Sequence, residues 1–126
     1  MNGKRILVVD DGVTVRMFCR AVLEGEGFGV EEADNGVEGI ERALASRFDL
    51  LVVDINMPKM DGYEMIRLVR GDPGLQSVPV VAISTEAADG DITRAYEAGA
   101  NFYMVKPVKP GDLAEAARLL TGVRAP

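Results

Sequence analysis

No histidine occurs in this chain of 126 residues, and there is one cysteine, Cys19. The first absence removes Ser–His and Cys–His nucleophilic devices, the usual general base and the commonest zinc ligand. The second removes any internal disulfide and any cysteine-based zinc cluster. Long apolar runs are missing too. Met1-Asn2-Gly3-Lys4-Arg5 leads into the short run Ile6–Val9, too short for a signal peptide core or a membrane span. The expectation is a cytoplasmic protein with no membrane partner. Positive charge is in deficit: 14 basic against 20 acidic residues give a formal charge of −6. Such a surface repels phosphate backbones, which argues against nucleic acid as a partner. No Walker A sequence is present. The glycine-rich stretch Gly25-Glu26-Gly27-Phe28-Gly29 follows a helical pattern and precedes a strand, the reverse of a dinucleotide fingerprint. Chemistry is left to carboxylates, hydroxyls, lysine and a hard metal ion.

What remains reads as one soluble domain. Apolar residues make up 48% and charged residues 27%, and domains ordinarily run to ~100–200 residues. Neither an internal repeat nor a linker interrupts it. The runs Ile6–Val9, Leu50–Val53, Val80–Ile83 and Phe102–Val105 are nearly continuous, the pattern of strands buried on both faces of a parallel sheet. Phe28–Glu32 alternates and belongs nearer an edge. Helical spacing fills the gaps: Val15, Phe18, Cys19, Val22 and Leu23; Val37, Ile40 and Leu44; Met65, Leu68 and Val69; Ile92, Ala95, Tyr96 and Gly99; Leu113, Ala116, Ala117 and Leu120. Gly25, Gly71 with Pro73, and Gly99 mark helix stops, while Asp112 or Pro110 starts the last helix. Cys19 on its apolar stripe reads as a small buried hydrophobe. Strand and helix thus alternate as (βα)5, and right-handed crossovers put helices on both faces of a doubly wound α/β sheet.

In such a sheet the site lies beyond the carboxyl ends of the strands. There the first strand ends in Asp10-Asp11, the third in Asp54, the fourth in Ser84-Thr85 and the fifth in Lys106-Pro107. Taken singly, each is an ordinary cap, turn former or solvated charge. Together they are not: two carboxylates ~5 Å apart repel by roughly 3 kcal/mol at an effective dielectric of 20. Three of them with one lysine call for a cation, and oxygen donors suit Mg²⁺, with Mn²⁺ as an alternative. Carboxylate-held metal beside a lysine and a hydroxyl is a phosphoryl site. Without histidine the nucleophile is a carboxylate. Asp54 is the best candidate, since it ends a central strand and the other two acids form an adjacent pair.

Leu7-Val8-Val9-Asp10-Asp11, Asp54-Ile55-Asn56-Met57-Pro58-Lys59-Met60-Asp61-Gly62, Ser84, Tyr103 and Lys106-Pro107 together resemble the receiver domain of two-component response regulators, in particular the single-domain CheY-like members. The resemblance runs from Ile6 to Leu120 and implies a flavodoxin-like strand order of 2-1-3-4-5, with residues 1–126 forming one receiver domain and no output domain. It implies phosphorylation of Asp54 and metal binding by Asp10, Asp11, Asp54 and the backbone carbonyl of Asn56. Ser84 and Lys106 are implied to contact the phosphoryl group, and Asp61-Gly62 to open the third helix without being a ligand. Lys106-Pro107 is often cis in the family. Asn56, Thr85 and Glu86 occupy positions that tune dephosphorylation, with polar residues resembling fast-cycling chemotaxis members. Gly12 stands where serine is frequent and forgoes a helix cap.

The resemblance also implies a switch. Ser84 moves toward the phosphoryl group and Tyr103 rotates inward behind it. The face of the fourth helix, fifth strand and fifth helix then changes its affinity for a downstream protein. By helical phase Asp91, Arg94, Glu115 and Arg118 are surface candidates there, and Met57-Pro58 and Lys59-Met60 are solvent-side. The phosphodonor is a sensor histidine kinase or a His-phosphotransfer protein, since this chain has no histidine to phosphorylate. A monomer that signals by reversible contact follows, most naturally in chemotaxis, with a phosphorelay or phosphate-sink role as the alternative. A haloacid-dehalogenase-type phosphatase also uses aspartyl phosphate, but it needs Asp-x-Asp where this chain has Asn56.

Overall fold

The computed structural model describes residues 2–124. The elements alternate as β1 (Arg5–Val9), α1 (Val13–Gly25), β2 (Gly29–Ala33), α2 (Gly36–Ala45), β3 (Leu50–Asp54), α3 (Gly62–Gly71), β4 (Val80–Ser84), α4 (Asp89–Ala98), β5 (Phe102–Val105) and α5 (Pro110–Thr121). All strand pairs are parallel, in the order β2-β1-β3-β4-β5. This is the doubly wound flavodoxin-like arrangement expected from the sequence.

Alternation along the central strands divides the core. Leu7, Val9, Leu51, Val53, Val80 and Ala82 meet Ala43 of α2, Met65 and Val69 of α3, and Ala95 of α4. Ile6, Val8, Leu50, Val52, Val81 and Ile83 meet Cys19 and Leu23 of α1 and Leu113 and Ala117 of α5. Because both faces are covered, β1, β3 and β4 read as unbroken apolar runs. Each fully buried Val, Leu or Ile contributes roughly 1.5–3 kcal/mol of transfer free energy, so the rigid centre of the sheet fixes the strand ends that carry the site. Asn35 and Asp61 cap α2 and α3, each accepting a backbone N–H at 2.9 Å, from Glu38 and Glu64 respectively. Gly12 precedes α1 without a side-chain cap, as its lack of a hydroxyl dictates. Pro110 opens α5, and Asp112 lies in its first turn.

Several sequence expectations are corrected. β5 stands at the edge that the expected order implies, but it is not buried along its whole run: Tyr103 and Met104 are buried on opposite faces, while Phe102 and Val105 at its ends are open to solvent. In α2 the inward residues are Gly36, Gly39 and Ala43, whereas Val37 and Leu44 are exposed. The helix lies too close to the sheet for larger side chains, since a Cβ on Gly39 would sit 3.0 Å from Val9 and 2.9 Å from Met65. Leu68 and Tyr96 also face solvent; Ile66 and Tyr63 share the inward side of α3 with Met65 and Val69. Met57 is buried and Met60 packs against the core, so of Met57-Pro58 and Lys59-Met60 it is Pro58 and Lys59 that are solvent-side.

Candidate functional site at the carboxyl ends of the strands

Asp10 follows β1, Asp54 and Ser84 are the last residues of β3 and β4, and Lys106 follows β5. Parallel pairing brings these ends to one rim. Asp10 and Asp54 are each 1% exposed and Ser84 is fully buried, while Asp11 is open to solvent. One carboxylate oxygen from each of Asp10, Asp11 and Asp54 lies within 4.8 Å of the others. Lys106 Nζ is 3.1 Å from Asp10 Oδ2 and 3.2 Å from Asp54 Oδ1, and the Lys106-Pro107 peptide is cis.

The carboxylates are held from the backbone. Asp10 Oδ1 accepts the Gly12 N–H at 2.7 Å, and Asp54 Oδ1 accepts the Asn56 N–H at 3.2 Å. Asp10 Oδ2 is buried and, among the described residues, meets only the Lys106 ammonium, which it shares with Asp54. A buried carboxylate oxygen left short of donors is costly, and it points to a ligand supplied from outside the chain. The set offers oxygen atoms and no soft donor, which fits Mg²⁺ or Mn²⁺.

Burial raises the Asp54 pKa to about 6 and the neighbouring Asp10 charge adds to this, against the pull of Lys106 and the Asn56 N–H. Burial works against the Lys106 ammonium, but the two carboxylates outweigh it and raise its pKa. Lys106 therefore stays cationic and only partly offsets the crowded negative charge. Cys19, on the α1 stripe, is pushed up to about 12, chiefly by burial, and is an inert packing residue as expected.

Behind the rim runs a hydrogen-bonded chain. Ser84 Oγ donates to Asn56 Oδ1 at 3.0 Å and accepts the Glu86 N–H at 3.0 Å. The Tyr103 hydroxyl donates to the Glu86 carbonyl at 2.6 Å, and Tyr103 lies inward. Thr85 and Glu86 stand exposed at the edge of the cleft. Asp61 caps α3 and stays out of the carboxylate cluster. Of the four surface candidates, Asp91, Arg94 and Glu115 are free of an ion pair among the described residues. Arg118 instead pairs with Glu26 near the end of α1, and Arg94 stacks 4.0 Å over the Tyr63 ring.

Sequence reasoning missed three contacts. The Asn56 side chain, given a role only in tuning dephosphorylation, also holds Ser84. The Tyr63 hydroxyl donates to the Asp91 carbonyl at 3.3 Å. Arg16 reaches back from α1 to the Asp10 carbonyl at 2.6 Å. A signal for the last existed: a cation in the first turn of a helix opposes the helix dipole and needs a compensating partner.

An acidic cluster with one lysine thus stands at the carboxyl ends of a parallel sheet ordered 2-1-3-4-5. Residues 6–118 match the response regulator receiver domain, and the chain belongs to that family. It is 36% identical over 120 residues to the chemotaxis protein CheY1 of Helicobacter pylori, covering 94% of this chain and 97% of that protein. It is 34% identical over 112 residues to the transcriptional regulatory protein ResD of Bacillus subtilis, covering 89% of this chain but only 45% of ResD. Among solved structures, the chemotaxis protein CheY4 of Vibrio cholerae superposes with a TM-score of 0.88 at 30% identity, covering 93% of this chain and 98% of that one. The receiver domain of the sensor histidine kinase PA1611 of Pseudomonas aeruginosa, solved with a magnesium ion in its active site cleft, gives a TM-score of 0.88 at 29% identity, covering 95% and 98%.

Proposed function

We propose that Asp54 accepts a phosphoryl group from the phosphohistidine of a sensor kinase or His-phosphotransfer protein, and that the change at Asp54 is read by a downstream protein. The observation that carries this reading is the buried Asp54 carboxylate, crowded by Asp10 and faced by Lys106 at 3.2 Å. Its raised proton affinity leaves it largely ionised at pH 7.5 yet more basic than an ordinary carboxylate, which suits a nucleophile.

In the transfer, an Asp54 oxygen forms the new P–O bond as the P–N bond to the donor imidazole breaks. The departing electron pair stays on the imidazole nitrogen, which then takes a proton from solvent. Lys106 holds one phosphoryl oxygen, and Ser84 exchanges its bond to Asn56 for another. Asp10, Asp11, Asp54 and the Asn56 carbonyl would hold Mg²⁺, which when bound neutralises the charge on the transferring group. The signal ends by hydrolysis: a water oxygen forms a new P–O bond as the bond to Asp54 breaks, releasing inorganic phosphate and restoring the carboxylate, with Asn56, Thr85 and Glu86 bordering the path of the water.

The output face in this reading is α4, β5 and α5. In support, a groove there is lined by Phe102, Val105, Glu115 and Leu119, three of them exposed apolar residues. Tyr103 ties the middle of β5 to the segment leading into α4, so a shift of Ser84 reaches that face through Glu86 and Tyr103. Kinship with chemotaxis proteins of two organisms favours a chemotaxis output over a relay or sink role.

The test is incubation with acetyl phosphate and Mg²⁺, followed by intact-mass spectrometry. The wild type gains one phosphoryl group and Asp54→Asn gains none; an unmodified wild type, or equal modification of both, refutes the reading. Capture of partners with and without beryllofluoride then separates a motor-type target from a phosphotransfer protein.

A further inference from the structure

We infer that Arg16 is a positioning residue for the cation site, acting through the main chain of Asp10 and itself aimed by Glu32. This rests on the proposed metal-binding role of Asp10.

Asp10 lies one residue beyond β1, where the sheet no longer supplies a partner for its carbonyl. Its N–H still donates to Ala33 at 3.1 Å. The carbonyl is taken by Arg16 Nη1 at 2.6 Å, a charge-assisted bond. Arg16 occupies the first turn of α1, an unfavourable place for a cation next to the positive helix end. Glu32 on β2 resolves this. Its Oε1 accepts Arg16 Nε at 3.0 Å, and its Oε2 accepts Arg20 Nη1 at 2.7 Å. The Arg16 side chain is only 14% exposed, so it is held in a packed groove and does not sample solvent freely.

The consequence falls on the carboxylate. Among the described residues Asp10 Oδ2 meets only the flexible Lys106 ammonium, at 3.1 Å and shared with Asp54, and Oδ1 has only the Gly12 N–H described above. Apart from that shared lysine, its aim into the cleft depends on the placement of its own backbone. Arg16 clamps that backbone from behind, from one helix turn onto the end of the neighbouring strand. The forked guanidinium matters, because one nitrogen faces Glu32 while another faces the carbonyl; a lysine makes one of these bonds at a time. Partners behind a metal ligand commonly set affinity without touching the metal.

The experiment is calorimetric titration of the full chain with MgCl₂ at pH 7.5, with thermal unfolding in EDTA recorded alongside. Arg16→Ala is expected to weaken Mg²⁺ binding about tenfold, with Arg16→Lys regaining part of the loss. An Arg16→Ala affinity within twofold of wild type, whatever its melting temperature, overturns the inference and makes Arg16 a stabilising residue only. Should Arg16→Ala not fold, Glu32→Ala leaves the arginine in place but unaimed. It is expected to weaken binding by about threefold, and an unchanged affinity again overturns the inference. A wild type that binds no Mg²⁺ fails differently: it removes the metal reading itself, and Arg16's role with it.

Discussion

Replacing Asp54 with asparagine should make the apoprotein more stable, though Asp54 is the residue on which the proposed function turns. Folding moves the Asp54 pKa from an ordinary 3.8 to about 6, mainly through burial and then through Asp10. Between those values the folded state binds more protons than the unfolded state. Stability therefore falls as pH rises through this window and stays low above it. Each factor of ten in proton affinity is worth about 1.4 kcal/mol, so keeping Asp54 ionised in the fold costs on the order of 3 kcal/mol at neutral pH. Asparagine resembles the neutral acid in shape and carries no charge. Allowing for its imperfect pairing with Lys106, the expected gain is about 1–3 kcal/mol at pH 7.5. Urea unfolding followed by far-ultraviolet circular dichroism, in EDTA, measures this directly. The gap should shrink as pH is lowered toward 4, where wild-type Asp54 is protonated in the fold. Saturating Mg²⁺ should narrow it from the other side, since a ligand at ~100 times its Kd stabilises by about 2.7 kcal/mol. An Asp54→Asn protein that is less stable than wild type at pH 7.5, or a gap that is constant between pH 7.5 and 4.5, would refute the reasoning.

Other perturbations test neighbouring parts of the structure. Tyr103→Phe removes the hydroxyl from the Glu86 carbonyl and should cost about 1 kcal/mol; amide exchange should accelerate at residues 85–88 while β1 and β3 keep their protection. Gly62→Ala places a Cβ 2.5 Å from the Asp54 carbonyl and 2.6 Å from Ile55 Cα, both main-chain atoms. It should destabilise by about 3 kcal/mol and lower the rate of Asp54 modification by acetyl phosphate. Arg70 donates to the carbonyls of Gly99 and Val78 at 2.9 and 2.7 Å and to Asn101 Oδ1 at 2.7 Å. Arg70→Ala should cost about 2 kcal/mol in urea unfolding without changing Mg²⁺ affinity, since these bonds lie at the opposite end of the strands. Glu86→Ala should change the lifetime of the phosphorylated form, followed by loss of the added mass with time; an unchanged lifetime excludes its side chain from turnover.

The fold was legible because its information is carried by apolar runs whose alternation can be followed residue by residue. Ile6 and Val8 serve one core, Leu7 and Val9 the other, and neither set depends on distant detail. Legibility failed where approach distance decides. Val37, Ile40 and Leu44 make a persuasive stripe, yet α2 sits so close to Val9 and Met65 that glycine and alanine face inward; Ile40 still packs at the margin of the core, while Val37 and Leu44 turn outward. Phe102 and Val105 failed for a related reason. A strand at the sheet edge can have the composition of a central one, and only the pairing order says which it is.

At the site the residue types and their strand-end positions were readable, but the division of labour among the acids was not. Asp10 and Asp11 are neighbours in sequence and chemically identical. The turn into α1 leaves Asp11 in solvent and seals Asp10 beside Asp54. Desolvation therefore falls on Asp10 and Asp54, and a single lysine faces both. The unresolved charge is a property of burial, which sequence does not display. It follows that the two adjacent acids are not equivalent. Neutralising Asp10 relieves Asp54 of its nearest negative neighbour and should lower the Asp54 pKa, whereas neutralising exposed Asp11 removes a proposed metal ligand and should leave that pKa nearly unchanged. Carboxyl carbon NMR titration of Asp54 in Asp10→Asn and Asp11→Asn separates the two: the midpoint should fall below about 6 in the first and stay there in the second. Equal shifts in both variants would mean that distance, and not burial, sets the field that Asp54 feels.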